Sequence, residues 1–159
     1  MSRTISSAGR EALYAPQTNT AFLELMIIKD SSGTPLARIT NNNQIVTFDG
    51  NDYSPVAFSA KLPKDSEDEI QSANITIGNV DRSIMISLRQ LTGVPLLEYF
   101  VVRSDDLSAV ELGPWNYSLE KIKYDALTIT ATATYNTYMS TNASLVRYST
   151  ENFPGVAPT

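Results

Sequence analysis

The 159-residue sequence contains neither histidine nor cysteine. The chain therefore has no imidazole base, no thiolate nucleophile and no imidazole or thiolate ligand for a metal. Haem, iron–sulfur and structural zinc sites lose their usual ligands, and disulfide bonds are impossible. We expect no cofactor, no metal site and no enzymatic activity.

Positive charge is scarce as well. Twelve Lys and Arg residues face 17 Asp and Glu residues, which leaves a formal net charge of −5 at pH 7. A surface with this balance repels the phosphates of nucleic acids, so the composition argues against a nucleic-acid-binding protein.

Long apolar runs are also missing. The two longest, residues 21–28 and 94–102, each contain a glutamate and fall short of the roughly 20 residues that a membrane-spanning helix needs. Residues 1–16 are polar and lack the apolar core of a secretion signal. The sequence therefore predicts a protein that is neither secreted nor anchored in a membrane.

Most of the chain has the hydrophobic pattern of β-strands. Residues 127–135 alternate apolar residues with threonines, and residues 72–77 alternate in the same way. The pair Asp49-Gly50 is a hairpin signal, because glycine adopts positive φ without steric cost. Further strands are predicted over residues 22–28, 36–40, 44–48, 52–55 and 94–103.

Two helices are predicted beside these strands. The first covers Met1 to Pro16 with Ser2 as its N-cap. The second has Asp81 as its N-cap and ends with Gly93 at the position after its C-cap.

These elements predict a mainly β (α+β) fold with one short internal helix and one N-terminal helix. We divide the chain into an N-terminal helix or arm over residues 1–19, a β-rich core domain over residues 20–146 and an extended C-terminal tail over residues 147–159. The length fits one domain.

Carboxylates are the remaining groups that could perform acid–base chemistry. A glycosidase needs two of them beside one cleft, and the candidates are Glu24, Glu98, Glu111 and Asp125. Nothing in the sequence pairs any two. Glu24 and Glu98 stand out because they lie inside apolar strands. A strand edge, a solvent-facing position on the sheet or a salt bridge to an arginine such as Arg103 would explain each of them more simply than catalysis.

Two other local patterns are interpreted as ordinary structure. The acidic run at residues 65–69 does not have the spacing of a calcium-binding loop, so we interpret it as a solvated loop. Ser118 and Lys121 match the spacing of serine–lysine acylating enzymes, but their surroundings alternate like a strand, which would point them to opposite faces.

Tyrosine is abundant, with eight residues in the chain. Its aromatic ring and water-tolerant hydroxyl favour protein interfaces and sugar-binding surfaces, although β-sheets are rich in tyrosine in any case. Four tyrosines fall late in the sequence: Tyr124, Tyr135, Tyr138 and Tyr148.

Several short segments follow one another in a definite order along residues 20–156. They are Leu62-Pro63, Asn79-Val80-Asp81-Arg82, the strand over residues 99–105, residues 111–114, Tyr124-Asp125 and Phe153-Pro154-Gly155. In this order they resemble a small family of tailed-phage proteins that is catalogued as a domain of unknown function and is encoded in tail modules. The resemblance gives a structural role to eight positions: Asn79, Asp81, Arg82, Tyr124, Asp125, Phe153, Pro154 and Gly155.

The resemblance implies a structural component of the phage tail tip, located in the virion at the baseplate end. Its implied fold is a single β-sandwich or barrel-like domain related to the tail-tube fold. Its implied role is that of a distal-tail adaptor, which forms a ring and joins the tail tube to the hub or central spike. The expected partners are further copies in a hexameric or trimeric ring, the tail tube protein and the hub or spike protein. The tape-measure protein is a further candidate partner.

Under this interpretation the terminal arms order on docking, and DNA meets the protein only by passing through the lumen of the ring. Two alternatives stay open. One is a trimeric upper-hub protein of the tail tip, and the other is a carbohydrate- or receptor-binding module that uses the tyrosines.

Overall fold

The computed structural model describes residues 5–61, 72–78 and 82–135. Strands dominate these residues, so the predicted mainly β fold is confirmed. No helix within the described ranges is long and apolar enough to cross a membrane. The elements are α1 (Ser7–Tyr14), β1 (Phe22–Lys29), β2 (Pro35–Thr40), β3 (Val46–Phe48), β4 (Asn51–Pro55), β5 (Phe58–Lys61), β6 (Ser72–Gly78), α2 (Ser83–Arg89), β7 (Leu96–Arg103), β8 (Asp106–Tyr124) and β9 (Thr128–Tyr135).

The nine strands form one mixed sheet in the order β3-β4-β2-β1-β7-β8-β9-β6-β5. Strands β1 and β7 lie at its centre and pair antiparallel along eight residues, from Phe22 opposite Arg103 to Lys29 opposite Leu96. Only the short contact between β2 and β4 is parallel among the described pairs. The hairpin of β3 and β4 contacts β8, although β3 and β8 are far apart in the strand order.

Each face of the central strands has its own hydrophobic cluster, because alternate residues of a strand point to opposite faces. The larger cluster includes residues of β1, β2 and β5 to β9 and is covered in part by Ile84 and Leu88 of α2. The smaller cluster lies on the other face, beneath the β3–β4 hairpin, and consists of Leu25, Val46, Tyr53, Phe100 and Val102. The hairpin thus forms a second layer over β1 and β7.

The hairpin turn between β3 and β4 has the conformation that its sequence predicts. Asp49 and Gly50 have φ values of 49° and 70°, and Phe48 pairs with Asn51 on either side of them. Two successive residues with positive φ match the right-handed twist of the flanking strands. The predicted Asp49-Gly50 hairpin is therefore confirmed.

The predicted alternation is confirmed for residues 129–134 of β9; Leu127 does not follow it, and the side chain of Tyr135 is not described. Ile129, Ala131 and Ala133 are buried, and the threonines lie on the opposite face. Leu127 was expected on the core face but is 76% exposed, because it lies in the turn before the strand begins at Thr128.

The N-terminal helix is shorter than predicted. It begins after Ser6, whose Oγ accepts a hydrogen bond from the Gly9 N–H at 2.9 Å, and it ends at Tyr14 before Pro16. The N-cap is therefore Ser6 within the described residues, and the predicted cap, Ser2, lies outside them.

The internal helix α2 also differs from the prediction at both ends. Asp81 lies outside the described residues, and the N-cap position is occupied by Arg82 in the left-handed region with φ 60°. The helix ends at Gln90 with right-handed geometry, so Gly93 does not follow its C-cap as predicted. Gly93 instead allows close packing, since a side-chain carbon there would lie 2.6 Å from the Ser31 Oγ.

Strand β8 is the main element that the sequence pattern does not predict in full. The expectation of a strand covered only the surroundings of Ser118 to Lys121, whereas β8 runs over 19 residues. Gly113, with φ 97°, takes up a shift in register opposite Tyr99, and a side-chain carbon at Gly113 would lie 3.0 Å from the Tyr99 carbonyl oxygen. A bulge of this kind lets the strand continue past a Gly-Pro pair.

Candidate assembly interface

Three of the eight family-motif residues, Arg82, Tyr124 and Asp125, lie in the described part of the chain. Arg82 starts α2, and Tyr124 ends β8. Asp125 begins the turn to β9, where its N–H donates to the Thr128 carbonyl at 2.8 Å. The five others, Asn79, Asp81, Phe153, Pro154 and Gly155, lie outside the described residues.

A cation–π contact links the end of β8 to α2. The guanidinium of Arg89 lies 5.0 Å from the centroid of the Tyr124 ring. Asp125 fixes the adjoining turn, because its Oδ1 also accepts a hydrogen bond from the Ala126 N–H at 2.7 Å. Tyr124 thus contacts helix α2, and Asp125 stabilises the turn before β9.

Glu24 and Glu98, the two candidate carboxylates inside apolar strands, do not flank a common cleft. Glu24 lies opposite Val101 and Glu98 opposite Ile27 in the β1–β7 pair, so the two side chains point to opposite faces of the sheet. Glu98 forms an ion pair with Lys29, and Arg103, the predicted partner, pairs elsewhere. The paired-carboxylate arrangement of a glycosidase is therefore not formed by Glu24 and Glu98.

Glu111 holds the N-terminal helix on the sheet. Its Oε1 accepts from the Ser6 N–H at 2.7 Å and its Oε2 from the Ser6 Oγ at 3.0 Å. Arg103 Nε lies 3.7 Å from the same carboxylate, whose side chain is only 7% exposed. A side-chain carbon at Gly9 would overlap this carboxylate, so glycine permits the close approach.

This arrangement has a consequence for the N-terminal arm. A negative charge at a helix N-terminus is favourable, because the unpaired N–H groups of the first turn point toward it. Residues 7–14 are helical and bound to their own domain, so the expectation that the whole arm orders only on docking is wrong for this helix. The tail over residues 147–159 lies outside the described residues.

Arg103 also neutralises the turn between β7 and β8. Its Nε lies 3.4 Å from Asp105 Oδ1, and its Nη2 lies 3.6 Å from Asp106 Oδ2. Hydrogen bonds from the Ser108 side chain and backbone lower the pKa of Asp106. Burial opposes them, and the charge of Arg103 adds the smallest lowering effect. The Asp105-Asp106 pair is thus a stabilised turn. Within the described ranges, no group of three or more acidic residues could hold a metal ion.

The tyrosines of the described core are mostly structural. Tyr53, Tyr99 and Tyr117 are buried, whereas Tyr14 on α1 is 86% exposed. Tyr124 is half-buried, the side chain of Tyr135 is not described, and Tyr138 and Tyr148 lie outside the described residues. The described tyrosines therefore form no exposed aromatic platform.

Exposed apolar side chains occur instead on several protruding parts of the chain. They lie on both helices, in loops and turns, and along the first half of β8: Leu13, Tyr14, Ile45, Ile86, Val94, Leu107, Val110 and Leu127. Strands β3 and β5 are the edges of the sheet, and residues 106–116 of β8 pair only with β7 among the described strands. Open strand edges and exposed apolar side chains are the features through which β-proteins associate.

The family can be assigned from the sequence. A model for a domain of unknown function, DUF1833, matches residues 8–148. The chain belongs to the DUF1833 family. The family membership inferred from the ordered motifs is thereby confirmed.

The DUF1833 fold also has a counterpart among solved structures. It is similar to a chain in the virion of a native gene transfer agent (GTA) particle, with a TM-score of 0.64 and 15% sequence identity. The alignment covers 90% of this chain and 49% of that chain, so the DUF1833 chain spans about half the length of its structural counterpart. No curated protein matches the sequence.

Proposed function

We propose that this chain is a structural component of the tail tip of a phage or phage-like particle. In this role it is a ring-forming adaptor of the distal-tail kind, which joins the tail tube to the hub or central spike. The observation that carries the proposal is the likeness of fold, along 90% of the chain, to a chain of a virion.

The surface of the domain supports an assembly role. Among the described strands, the edge strands β3 and β5 and half of the long strand β8 each pair with one neighbour, and apolar side chains protrude from both helices. Neighbouring copies in a ring would cover such edges and side chains, because a closed ring repeats one contact around its axis. The tail tube protein and the hub or spike protein would contact the two ends of the ring.

The trimeric upper-hub alternative has one specific observation in its favour. The similar virion chain is about twice as long as the part that aligns, so this fold occurs there within a larger chain. Hub proteins built from several domains would have this property. The carbohydrate-binding alternative has less support, since Tyr53, Tyr99 and Tyr117 are buried.

Removal of the gene from a particle-producing strain tests the proposal. We expect particles that lack a tail tip, with heads and tubes assembled separately, and rescue by the wild-type gene. Electron microscopy of the particles gives the readout. Particles of normal morphology and unchanged protein composition would contradict a structural role at the tip.

A further inference from the structure

A groove separates α1 from the central strands of the sheet. It has a volume of about 330 Å³, and Leu13 of α1 forms its outer rim. Phe22 of β1 and Leu112 of β8 contribute further apolar walls. Its inner side includes the stacked pair Tyr99 and Trp115, whose ring centroids are 5.6 Å apart. The walls are thus mostly aliphatic and aromatic.

A single carboxylate, Glu24, lines this apolar groove. Burial, the charge of Glu24 and a hydrogen bond to that carboxylate together raise the pKa of the Tyr99 phenol. The Tyr99 ring and the Glu24 carboxylate thus lie close enough in the groove to influence one another. A carboxylate beside apolar walls is stabilised further by a cation, because such surroundings hydrate the charge poorly.

Glu24 differs from the other carboxylates of the central strands in having no cationic partner. Glu98 pairs with Lys29, and Glu111 lies 3.7 Å from Arg103. Among the described residues, no lysine or arginine lies within 4.0 Å of Glu24. Within the described part of the chain, the groove thus holds one carboxylate without a cationic partner between apolar walls.

We propose that this groove binds a peptide segment of a different subunit, which presents an arginine or lysine next to an apolar or aromatic side chain. The cation pairs with Glu24, and the apolar side chain fills the space between Leu13, Phe22 and Trp115. This inference rests on the proposed function in one respect: the segment is taken to come from another subunit of the particle.

Charge complementarity favours a basic partner over a second copy of the chain. A basic segment is attracted both by Glu24 and by the net charge of −5 of the chain, whereas a second copy brings the same net negative charge to the groove and gains no such attraction. The groove is also suited to a side chain rather than to a folded surface, because its volume lies at the lower end of the range for small ligand sites.

Trp115 reports on binding directly, because it is the only tryptophan in the chain and lies in the groove. We would titrate the isolated full-length chain with the four peptides acetyl-Leu-Xaa-Phe-amide, where Xaa is Arg, Lys, Gln or Glu, and follow tryptophan fluorescence. We expect saturable changes with the Arg and Lys peptides, and binding at least about tenfold weaker with the Gln and Glu peptides.

Matched variants separate the role of the Glu24 charge in the groove from the effect of removing any one negative charge from the chain. Glu24→Gln should weaken the Arg peptide about tenfold and abolish the preference for Arg over Gln, while Glu120→Gln, which removes an exposed charge from β8 outside the groove, should change neither. Leu13→Ser on the exposed rim should weaken all four peptides roughly threefold without affecting folding, so it serves if Glu24→Gln fails to fold.

Three results would overturn the proposal: no saturable binding of any peptide, equal binding of the Arg and Glu peptides, or unchanged Arg-peptide binding by Glu24→Gln. Self-association of the chain that depends on Glu24 would assign the groove to a second copy and would also overturn it. The isolated chain is used throughout, so peptide binding can succeed or fail independently of the role in a particle.

Discussion

The two faces of the central β1–β7 strand pair differ in how the glutamate within the pair is neutralised. On the face beneath the β3–β4 hairpin, Glu98 is paired with Lys29. A cavity of about 290 Å³ beside this pair is also lined by Arg38 and Asp49, so its charges are balanced within the chain. On the α1 face, Glu24 has no cation among the described residues. The comparison indicates that the glutamate of the covered face has a cation within the chain, whereas the described residues supply none to Glu24 on the α1 face.

The largest expected difference between the faces concerns their aromatic residues. Phe100 is 3% exposed and contacts the rings of Phe48 and Tyr53, at centroid distances of 5.3 and 6.1 Å. Phe100→Ala should lower the free energy of unfolding by about 3–5 kcal/mol, because the hairpin cannot collapse to fill the cavity.

The matched variant on the other face is Phe22→Ala. Phe22 is only half-buried at the groove, so its truncation should cost about 1 kcal/mol. Urea denaturation of both variants measures the difference. Equal losses of stability would contradict this difference between the covered face and the α1 face.

The next effect concerns the ion pair of the covered face. Glu98→Gln leaves Lys29 without its partner, and the two side chains are 20% and 25% exposed, so partial screening by solvent reduces the loss to about 1–2 kcal/mol. The double variant Glu98→Gln with Lys29→Met should recover part of this loss. A double variant less stable than the sum of the single changes would argue that the pair does not act as a unit.

The contact that attaches α1 to the sheet should contribute less to stability than the Glu98–Lys29 ion pair. Ser6→Ala removes the side chain that caps the helix and also donates to Glu111, so we expect a loss of about 1 kcal/mol. Hydrogen exchange should increase in residues 7–14 and stay unchanged in β1 and β7. Increased exchange in the central strands would mean that α1 contributes to the core.

The smallest effect is expected at Glu24. Glu24→Gln should change the free energy of unfolding by no more than about 0.5 kcal/mol, because no salt bridge to a described residue is lost. The pKa of Tyr99 should fall toward its ordinary value and yet stay above it, since burial is the largest cause of its rise. Absorbance titrations of the phenolates, each repeated with Tyr99→Phe to subtract the other seven tyrosines, measure this change. A Tyr99 contribution that is the same with and without Glu24→Gln would argue against an influence of Glu24 on Tyr99.

Local sequence signals predicted much of the strand pattern. The Asp49-Gly50 turn and the alternation of β6 and β9 follow from steric preferences and burial within a few residues, so they are visible in the sequence. Strand β8 was predicted only around Ser118 and Lys121, because its first half is defined by pairing with β7 and by a register shift between Tyr99 and Val101, residues distant in the sequence.

The contacts of the candidate interface depend on residues far apart in the chain. Ser6 and Glu111 are separated by 105 positions, and Lys29 and Glu98 by 69. The sequence marks Glu24 and Glu98 as unusual charges in apolar strands and leaves open a strand edge, a solvent-facing position or a paired arginine such as Arg103. It could not tell which glutamate is neutralised, because the choice depends on the face and register of the β1–β7 pair.

The most direct test of the proposed tail-tip role is the symmetry of this chain within a purified particle. A cryo-electron microscopy reconstruction of the tail end should contain a closed ring of copies between the tube and the spike, with sixfold symmetry for the adaptor and threefold symmetry for the hub alternative. A chain that never enters particles and stays a monomer in solution would contradict the account.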